Sequence, residues 1–478
     1  MTQVSDSALE FLHVRATGIF TGALKGCNIA SAFDRRLRFT ENTLERLMPD
    51  GSGPDVIQLN QYRRIFIVAM GKAAGPMLEV LFDRMKRRQG VRGICCSKYL
   101  PKQRNWRIRY FEGGHPLPNE ESFAAARATL NLLKKARKDT LIFYLISGGG
   151  SAMFDLPLDP SISIEDTARF HEVLLGSGAP IQEMNVLRKH FSAVKGGRLA
   201  TAAPEATKVS LLLPDVPLRS LDALASGPTS LNHSTAQDVE AILAKYQILD
   251  KLPASVRTYF EHGSASAAPA GKPQRPPFLS KKLLGDAVPA ESANGEDTAF
   301  RDSVYEVLLS NHDLVENARE LARQAGYFVA VDNSCDDWDY RDAARYLLER
   351  FHELRRIHPR LCLISGGEVT VTLNDAHGAG GRNQQFALAC AMELSRHDGE
   401  LLTVLSAGSD GVDGNTSNAG AICDTTTVTR ARAFGYEPAE SLSTFNACPL
   451  FTALGDTVVT GPTGQNLRDL RLLIADHA

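Results

Sequence analysis

Short apolar runs that end abruptly at Gly, Ser or Asp recur along this sequence and constrain its fold more than any other feature. The runs cover residues 65–70, 141–146, 209–213, 307–309, 361–364 and 402–407. Continuous apolar runs of this length are typical of strands buried on both faces, as in parallel sheets. Stretches such as 121–135 and 313–325 have helical spacing and helix-favouring residues. The alternation predicts an α/β fold built from βαβ units.

The chain has 478 residues, which is too long for one ordinary domain, so we expect two. The clearest change in composition lies at 261–300, where prolines occur among Ala, Ser, Gly and charged residues. Such a stretch is typical of a linker or a long surface excursion. We therefore predict an N-terminal domain at 1–260 and a C-terminal domain at 301–478, each with a mostly parallel sheet flanked by helices.

Composition excludes several classes of protein. A formal net charge of −2 gives no reason to expect nucleic acid or an anionic membrane as partner, although a small anionic substrate is compatible with it. No segment has the roughly 18 consecutive apolar residues of a membrane span, and the N-terminus lacks the pattern of a secretory signal. The eight cysteines form no CxxC pair, so we expect buried thiols in a reducing compartment rather than a zinc site. The sequence thus predicts a cytoplasmic protein, and a homodimer is compatible with it.

In open parallel sheets, ligands bind beyond the carboxyl ends of the strands, and polar residues follow the apolar runs there. After the first run, Gly71 permits a tight turn and Lys72 adds a positive charge where an anion can bind. The segment is not a Walker A loop, because Phe66 stands at the first glycine position and Ala73 replaces Ser or Thr. A solvated lysine after a turn is the alternative interpretation.

The second run is followed by Ser147, Gly148, Gly149, Gly150 and Ser151. Three glycines allow the backbone to approach a ligand closely, and successive N–H groups can bind phosphate oxygens. The pattern is neither GxGxxG nor GxSxG, which weakens dinucleotide-binding and hydrolase interpretations. The alternative is a flexible turn without a ligand.

Two further groups complete the candidates of the N-terminal half. Asp215 follows the third run, where a carboxylate can hold Mg²⁺ or accept a proton from a hydroxyl group, or simply cap a turn. On a predicted helix, Asn185, Arg188 and Ser192 share one face. We include Asn185 and Lys195 with the glycine turn as predicted nucleotide-binding residues, the alternative being a solvated basic helix.

In the C-terminal half, Arg382 opens an apolar helix after two glycines and is suited to bidentate binding of a phosphate or carboxylate. Asp410 and Asp413, set among glycines, are candidate ligands of Mg²⁺ or of a substrate hydroxyl group. Together the two halves supply glycine-rich anion sites, two isolated cations and three acids. Phosphoryl transfer requires such a set, because its catalysis consists mostly of positioning and charge neutralisation.

The order of the motifs resembles that of the glycerate 2-kinase family. The motifs are Gly-Lys-Ala (71–73), Gly-His-Pro-Leu-Pro-Asn-Glu (114–120), Ser-Gly-Gly-Gly-Ser (147–151), Asn-x-x-Arg-Lys-His (185–190), Asp-Val-Pro (215–217), Ala-Ser-Gly-Pro-Thr (225–229), Gly-Gly-Arg-Asn-Gln (380–384), Asp-Gly-Val-Asp-Gly (410–414) and Gly-Pro-Thr-Gly-x-Asn (461–466). The resemblance implies a glycerate-kinase domain joined to a MOFRL-type domain, with the active site in the cleft between them. It also implies phosphorylation of D-glycerate at its 2-hydroxyl by ATP and Mg²⁺, with Lys72 and Arg382 at the positions proposed for catalysis and Asp215 in the acidic motif.

The sequence departs from the family pattern at several places. Pro214 and Leu218 flank Asp-Val-Pro, and the C-terminal motif reads Gly-Gln-Asn-Leu-Arg-Asp-Leu (464–470) where Thr-Asn-Val-Asn-Asp-Leu is commoner. The stretch 336–340 and the proline-rich insertion have no counterpart. A related hydroxy acid therefore stays open as the preferred substrate. One alternative is an oxidoreductase acting on hydroxypyruvate or tartronate, although no GxGxxG with a following ribose-binding acid is present. Another is a sugar-phosphate sensor, which would bind its ligand without consuming ATP.

Overall fold

The structure is a computed structural model that describes residues 6–48, 53–85, 88–262, 298–373, 377–396 and 400–476. The chain forms two compact units. We call Ile29–Leu308 the central unit, and Met1–Asn28 with Leu309–Ala478 the terminal unit. The predicted domains at 1–260 and 301–478 stay a prediction, and these units differ from them in two segments. The first 28 residues group with the C-terminal half, and residues 301–308 group with the central unit.

The terminal unit begins with helix α1 (Asp6–Gly26). The elements of the central unit follow in chain order: α2 (Ile29–Arg36), β1 (Leu37–Phe39), β2 (Thr43–Arg46), β3 (Asp55–Gln58), β4 (Arg64–Met70), α3 (Ala74–Met85), β5 (Val91–Ser97), β6 (Ile108–Glu112), α4 (Glu120–Leu133), β7 (Thr140–Ser147), α5 (Gly150–Met153), α6 (Ile164–Leu175), α7 (Ile181–Phe191), α8 (Arg198–Thr201), β8 (Thr207–Leu213), α9 (Ala236–Lys245), α10 (Ala254–His262), α11 (Thr298–Arg301) and β9 (Ser303–Val307). Short 3-10 helices lie at Leu59–Gln61, Leu218–Ser226 and Leu249–Lys251.

The remaining elements of the terminal unit are α12 (Asn311–Gln324), β10 (Phe328–Val331), α13 (Tyr340–Arg355), β11 (Leu361–Gly366), α14 (Arg382–Leu394), β12 (Leu402–Gly408), β13 (Gly420–Asp424), α15 (Thr427–Ala433), α16 (Pro438–Ser443), α17 (Ala447–Leu454), β14 (Thr457–Val458) and β15 (Asp469–Ala475). The predicted linker at 261–300 lies almost wholly outside the described residues.

The main sheet of the central unit is parallel throughout, in the strand order β6-β5-β4-β7-β8-β9. Met70 pairs with Ile146, which in turn pairs with Leu212, so β4, β7 and β8 end at nearly the same level. Every residue of β7 is buried, as the continuous apolar run predicted. A separate antiparallel sheet contains β1, β2 and β3. The predicted α/β fold and its parallel sheet are confirmed for this unit.

The sheet of the terminal unit has the order β10-β11-β15-β12-β13-β14 and is mixed. Among the described strands, β10 and β11 pair parallel and the other four pairings are antiparallel. The prediction of a mostly parallel sheet therefore needs correction here. The reason is that β15 lies between β11 and β12 and runs opposite to both. Helices still flank this sheet, so the α/β class is confirmed.

Helix α1 belongs to the terminal unit because its apolar face packs against α12, β12 and β15. Leu12 and Phe20 on this face are 1% and 0% exposed. The first half of α1 is also tied to β13, since His13 Nε2 lies 2.9 Å from the carboxylate of Asp424. Strand β9 belongs to the central sheet because it pairs with β8. The apolar run at 307–309 thus begins only where this strand ends.

Two expectations from composition can be compared with the described residues. Seven of the eight cysteines are buried and all eight are free thiols, as expected. In the described part of the chain, no helix combines the length and apolar character needed to cross a membrane.

Because α1 docks through buried side chains, Phe20→Ala should lower the free energy of unfolding of the terminal unit by about 3–5 kcal/mol. Val14→Ala on the opposite face is the control, since Val14 is 68% exposed, and it should change stability by less than about 0.5 kcal/mol. Urea denaturation followed by circular dichroism measures both. Equal stabilities of the two variants would show that α1 does not contribute to the core.

Candidate active site

The loops that follow β4 and β7 are joined at the carboxyl edge of the central sheet. Ser147 Oγ accepts a hydrogen bond from the N–H of Ala73 at 3.0 Å and donates to the carbonyl of Met70 at 3.3 Å. The N–H of Lys72 donates to the carbonyl of Gly148 at 2.9 Å. These contacts fix the half-buried Lys72 beside the glycine turn.

Glycine is required at two positions of this edge by close approach. Gly71 has φ of 106°, and a Cβ atom there would overlap Ser147. A Cβ atom at Gly148 would overlap the carboxylate of Asp215. Asp215 therefore lies directly against the turn. The structure thus brings Lys72, the glycine turn and Asp215 together, as the sequence predicted for the ends of parallel strands.

The turn presents backbone donors. Within the described part of the chain, the N–H groups of Gly149 and Gly150 donate to no backbone or side-chain acceptor, whereas Gly148 continues the pairing of β7 with β8. Gly149 is half-buried and has φ of 79°. Successive N–H groups in such a turn form a concave site for phosphate oxygens.

A row of hydrogen bonds leads from the end of the turn into helix α7. Ser151 Oγ lies 2.8 Å from Ser226 Oγ, which donates to Asn185 Oδ1 at 3.0 Å. The same oxygen accepts from Arg188 Nη1 at 3.3 Å. Asn185 is buried, so its side chain connects the turn with Arg188 and is not itself on the surface.

Lys195 lies in the interior rather than on the surface of the turn. Its side chain is 1% exposed and its Nζ lies 2.5 Å from Asp155 Oδ1. His171 Nε2 and Ser192 Oγ contact the same carboxylate at 2.8 and 2.6 Å. Burial opposes ionisation, but Lys195 and His171 hold the pKa of Asp155 well below its usual value. Contact of Lys195 with a nucleotide stays a prediction, since in the structure its Nζ is engaged by Asp155 and by the carbonyl of Phe154.

In the terminal unit, Arg382 is the first residue of α14 and its guanidinium is engaged on two sides. Nε and Nη2 donate to the two carboxylate oxygens of Asp469 at 2.6 and 3.0 Å, and Nη2 donates to Glu368 at 2.7 Å. Burial acts to lower the pKa of Arg382, but the two carboxylates raise it overall. The contacts hold Arg382 in one orientation at the edge where β11 and β12 end.

The two aspartates predicted as metal ligands have different surroundings. Asp413 is 2% exposed and caps α14, accepting hydrogen bonds from the backbone N–H groups of Asn383 and Gln384 at 3.0 and 2.9 Å. Burial raises the pKa of Asp413 to about 6 despite these donors. Asp410 is half-buried and accepts from the N–H of Val412 at 3.1 Å. A metal-binding role for either one stays a prediction.

Comparison with known proteins identifies the family. Residues 15–261 match the model of a domain of unknown function, DUF4147, and residues 361–469 match the MOFRL family. The glycerate 2-kinase of Pyrococcus horikoshii is 33% identical over 420 residues, covering 86% of this chain and 87% of that one. The D-glycerate 2-kinase of Thermotoga maritima is 31% identical over 442 residues, covering 91% and 96%.

The chain belongs to the glycerate 2-kinase family.

The fold agrees with this assignment. The crystal structure of the Thermotoga maritima glycerate kinase superimposes with a TM-score of 0.75 at 28% identity, over 98% of this chain and 100% of that one. Two relatives from Agrobacterium vitis carry the name putative hydroxypyruvate reductase, and one of them is 32% identical over 412 residues, covering 86% of this chain and 87% of that one.

Two departures from the family pattern contact each other. Arg468 donates to both carboxylate oxygens of Asp336, at 2.9 and 2.6 Å. Asp336 in turn accepts from the N–H of Glu368, which is the residue that contacts Arg382. The departures therefore form one ion pair that supports the turn after β11.

Sequence reasoning missed several residues of these clusters. His115, which lies against Gly149, and Ser226 belong to the family motifs 114–120 and 225–229, so those motifs contained a signal. Glu368 follows two glycines after β11, which was a weaker signal. Asp469 begins β15, and only its position at the start of an apolar run distinguishes it.

The position of His115 beside Lys72 can be tested by titration. Burial first, and then the charges of Lys72 and Lys98, lower the pKa of His115 from 6.5 to about 4. The folded protein should therefore keep this imidazole neutral down to about pH 4, whereas the unfolded chain takes up a proton near 6.5. Through this group, stability is lost as the pH falls between these values.

We expect the NMR titration of His115 to have its midpoint near pH 4 and to shift upward in Lys72→Met. His115→Gln assigns the signal, and Arg169→Gln, on the exposed face of α6, is the matched control and should leave the midpoint unchanged. A midpoint near 6.5 in the unsubstituted protein would contradict the described surroundings of His115.

Proposed function

We propose that the protein transfers the γ-phosphoryl group of ATP to the 2-hydroxyl of D-glycerate, giving 2-phosphoglycerate and ADP. The observation that carries the proposal is the grouping of Lys72, the turn at 147–151 and Asp215 at one edge of the central sheet. Relatives named glycerate 2-kinase support the choice of substrate. A cytoplasmic location and a homodimer remain predictions.

The residues at this edge have complementary roles. The N–H groups of Gly149 and Gly150 bind phosphate oxygens, and Gly148 allows the ligand to approach closely. The ammonium of Lys72 neutralises charge on the group being transferred. The carboxylate of Asp215 orients the 2-hydroxyl and accepts its proton as the new P–O bond forms. Because the transition state of such transfers is loose, the position of Asp215 matters more than its basicity.

Asp410 and Asp413 are the proposed Mg²⁺ ligands, and their surroundings favour Asp410. Both oxygens of Asp413 already accept hydrogen bonds from α14, whereas Asp410 is half-buried. No group of three or more His, Cys, Asp or Glu side chains suited to a metal occurs among the described residues. One or two carboxylates suit Mg²⁺, which in kinases keeps waters and binds substrate phosphates. Mg²⁺ supplies charge neutralisation on those phosphates when bound.

Lys72 belongs to the central unit and Arg382 to the terminal unit. A catalytic role for Arg382 is proposed from the family resemblance, and its joint action with Lys72 stays a prediction. The contacts of Arg382 with Asp469 and Glu368 orient its guanidinium for this role. A lysine at this position would lose the planar set of donors that makes these contacts.

An oxidoreductase acting on hydroxypyruvate is the second candidate, because two relatives carry that name. Such an enzyme needs a dinucleotide site, and the turn after β7 has the sequence Ser-Gly-Gly-Gly-Ser rather than GxGxxG. We therefore favour the kinase.

The purified protein should convert D-glycerate and MgATP to 2-phosphoglycerate, and phosphorus NMR distinguishes this product from 3-phosphoglycerate. Lys72→Met is the control and should reduce turnover on the order of 10²–10³-fold, because it removes a charge that stabilises the transition state. Formation of 3-phosphoglycerate alone, or turnover only with NAD(P)H and hydroxypyruvate, would contradict the proposal.

The roles of the acids can be separated by their response to Mg²⁺. The activity defect of Asp410→Asn should become smaller as the Mg²⁺ concentration rises, because weaker binding is offset by mass action. The defect of Asp215→Asn should persist at all Mg²⁺ concentrations. Asp139→Asn, on the surface beside Arg64, is the matched control and should have full activity. Full activity of both test variants would refute the assignment of these acids.

A further inference from the structure

Arg188 is a buried arginine whose donors are mostly unused. It lies in the last turn of α7 and is 7% exposed. Nη1 donates to Asn185 Oδ1 at 3.3 Å, whereas Nε is buried without a partner. Within the described residues, Nη2 also donates to nothing and no carboxylate is within ion-pair distance of the guanidinium.

The neighbouring carboxylate does not balance this charge. Asp155 is the acid that interacts electrostatically with Arg188, but its oxygens are held by Lys195, His171 and Ser192. Burial lowers the pKa of His171, which leaves this imidazole neutral at pH 7. Asp155 pairs with Lys195 at 2.5 Å, so it is not left to bond the guanidinium of Arg188.

Burying an uncompensated charge is costly, so the position is suited to an anionic ligand. The negative end of the helix dipole offsets part of this cost, since Arg188 lies at the C-terminus of α7. The dipole does not supply hydrogen-bond acceptors for Nε and Nη2. These two donors lie on the same edge of the guanidinium plane, which is the edge that binds a carboxylate bidentately.

Arg188 is connected to the proposed catalytic edge. The row of hydrogen bonds through Asn185 and Ser226 ends at Ser151, which directly follows the glycine turn. Asp215 lies against the other end of that turn, at Gly148. The guanidinium and the proposed hydroxyl partner therefore belong to one group of side chains within the central unit.

We propose that Arg188 binds the carboxylate of the hydroxy acid substrate through Nε and Nη2, an assignment that rests on the proposed phosphorylation of D-glycerate. In this arrangement the glycine turn and Lys72 bind phosphate, Asp215 binds the 2-hydroxyl, and Arg188 binds the carboxylate that distinguishes glycerate from a simple polyol. Arg382 is less suited to this role, because Asp469 and Glu368 already occupy its Nε and Nη2.

The test compares Arg188→Gln and Arg188→Lys with the unsubstituted enzyme. Arg188→Gln should raise KM for D-glycerate on the order of 10²-fold, since a charged pair with two hydrogen bonds is lost. KM for ATP should change by less than about twofold, because the phosphate contacts stay in place. Arg188→Lys should restore only part of the loss, because an ammonium is a single point charge.

The matched control is Arg169→Gln, which removes the same charge from the exposed face of α6 and should leave both constants unchanged. Circular dichroism checks the fold of each variant. Calorimetric titration with D-glycerate and with glycerol gives a readout that is independent of turnover. The unsubstituted protein should bind D-glycerate in preference to glycerol, and Arg188→Gln should lose that preference.

The outcomes separate the two proposals. Normal turnover of D-glycerate by a folded Arg188→Gln variant with unchanged KM would overturn the assignment of Arg188 alone. A rise in KM for ATP with unchanged KM for D-glycerate would place Arg188 on the nucleotide phosphates and would also overturn it. If the unsubstituted protein neither phosphorylates nor binds D-glycerate, the proposed function and this inference both fail.

Discussion

The hydroxyl of Ser147 joins the ends of the two innermost strands of the central sheet, and the geometry of the candidate site depends on it. It accepts from the loop after β4 and donates to the end of β4 itself, while its own strand continues into the glycine turn. Because the loops touch this closely, Gly71 and Gly148 have no room for a Cβ atom. The backbone of Lys72 is therefore fixed against the glycine turn, and the carboxylate of Asp215 lies against Gly148.

Arg382 and Arg188 differ in the number of carboxylates that contact the guanidinium. Arg382 forms ion pairs with the carboxylates of Asp469 and Glu368, and the buried Arg471 also acts on Asp469. These contacts orient the guanidinium of Arg382. Arg188 has no carboxylate of its own among the described residues, so its surroundings favour an anion. The same side chain is thus paired with carboxylates at one position and has no carboxylate partner at the other.

The sequence predicted the α/β class and the parallel central sheet because buried strands such as β7 are apolar on both faces and stand out as continuous runs. It also predicted the grouping of Lys72, Asp215 and the glycine turn, since residues that follow neighbouring parallel strands must meet at one edge. Strand β15 was not predicted to lie between β11 and β12, because periodicity reports burial but not the neighbour or direction of a strand. The internal position of Lys195 was missed for a related reason: its partner Asp155 lies 40 positions away, and nothing local indicates the pairing.

The terminal unit consists of two segments that are far apart in the sequence, which local sequence patterns do not predict. This discontinuity has a consequence for folding. Helix α1 completes a unit whose other residues begin only at Leu309, so the whole central unit is inserted between them. Bringing together the ends of a loop of that length costs about 5 kcal/mol in chain entropy. The buried face of α1, with Leu12 and Phe20 almost inaccessible to solvent, must offset this cost in addition to the entropy of ordering the helix. A linear composition profile cannot reveal such an arrangement, because the apolar face of α1 is equally compatible with either unit. The docking of α1 must also wait for the C-terminal half during synthesis, so the parallel central sheet can form before the terminal unit is complete.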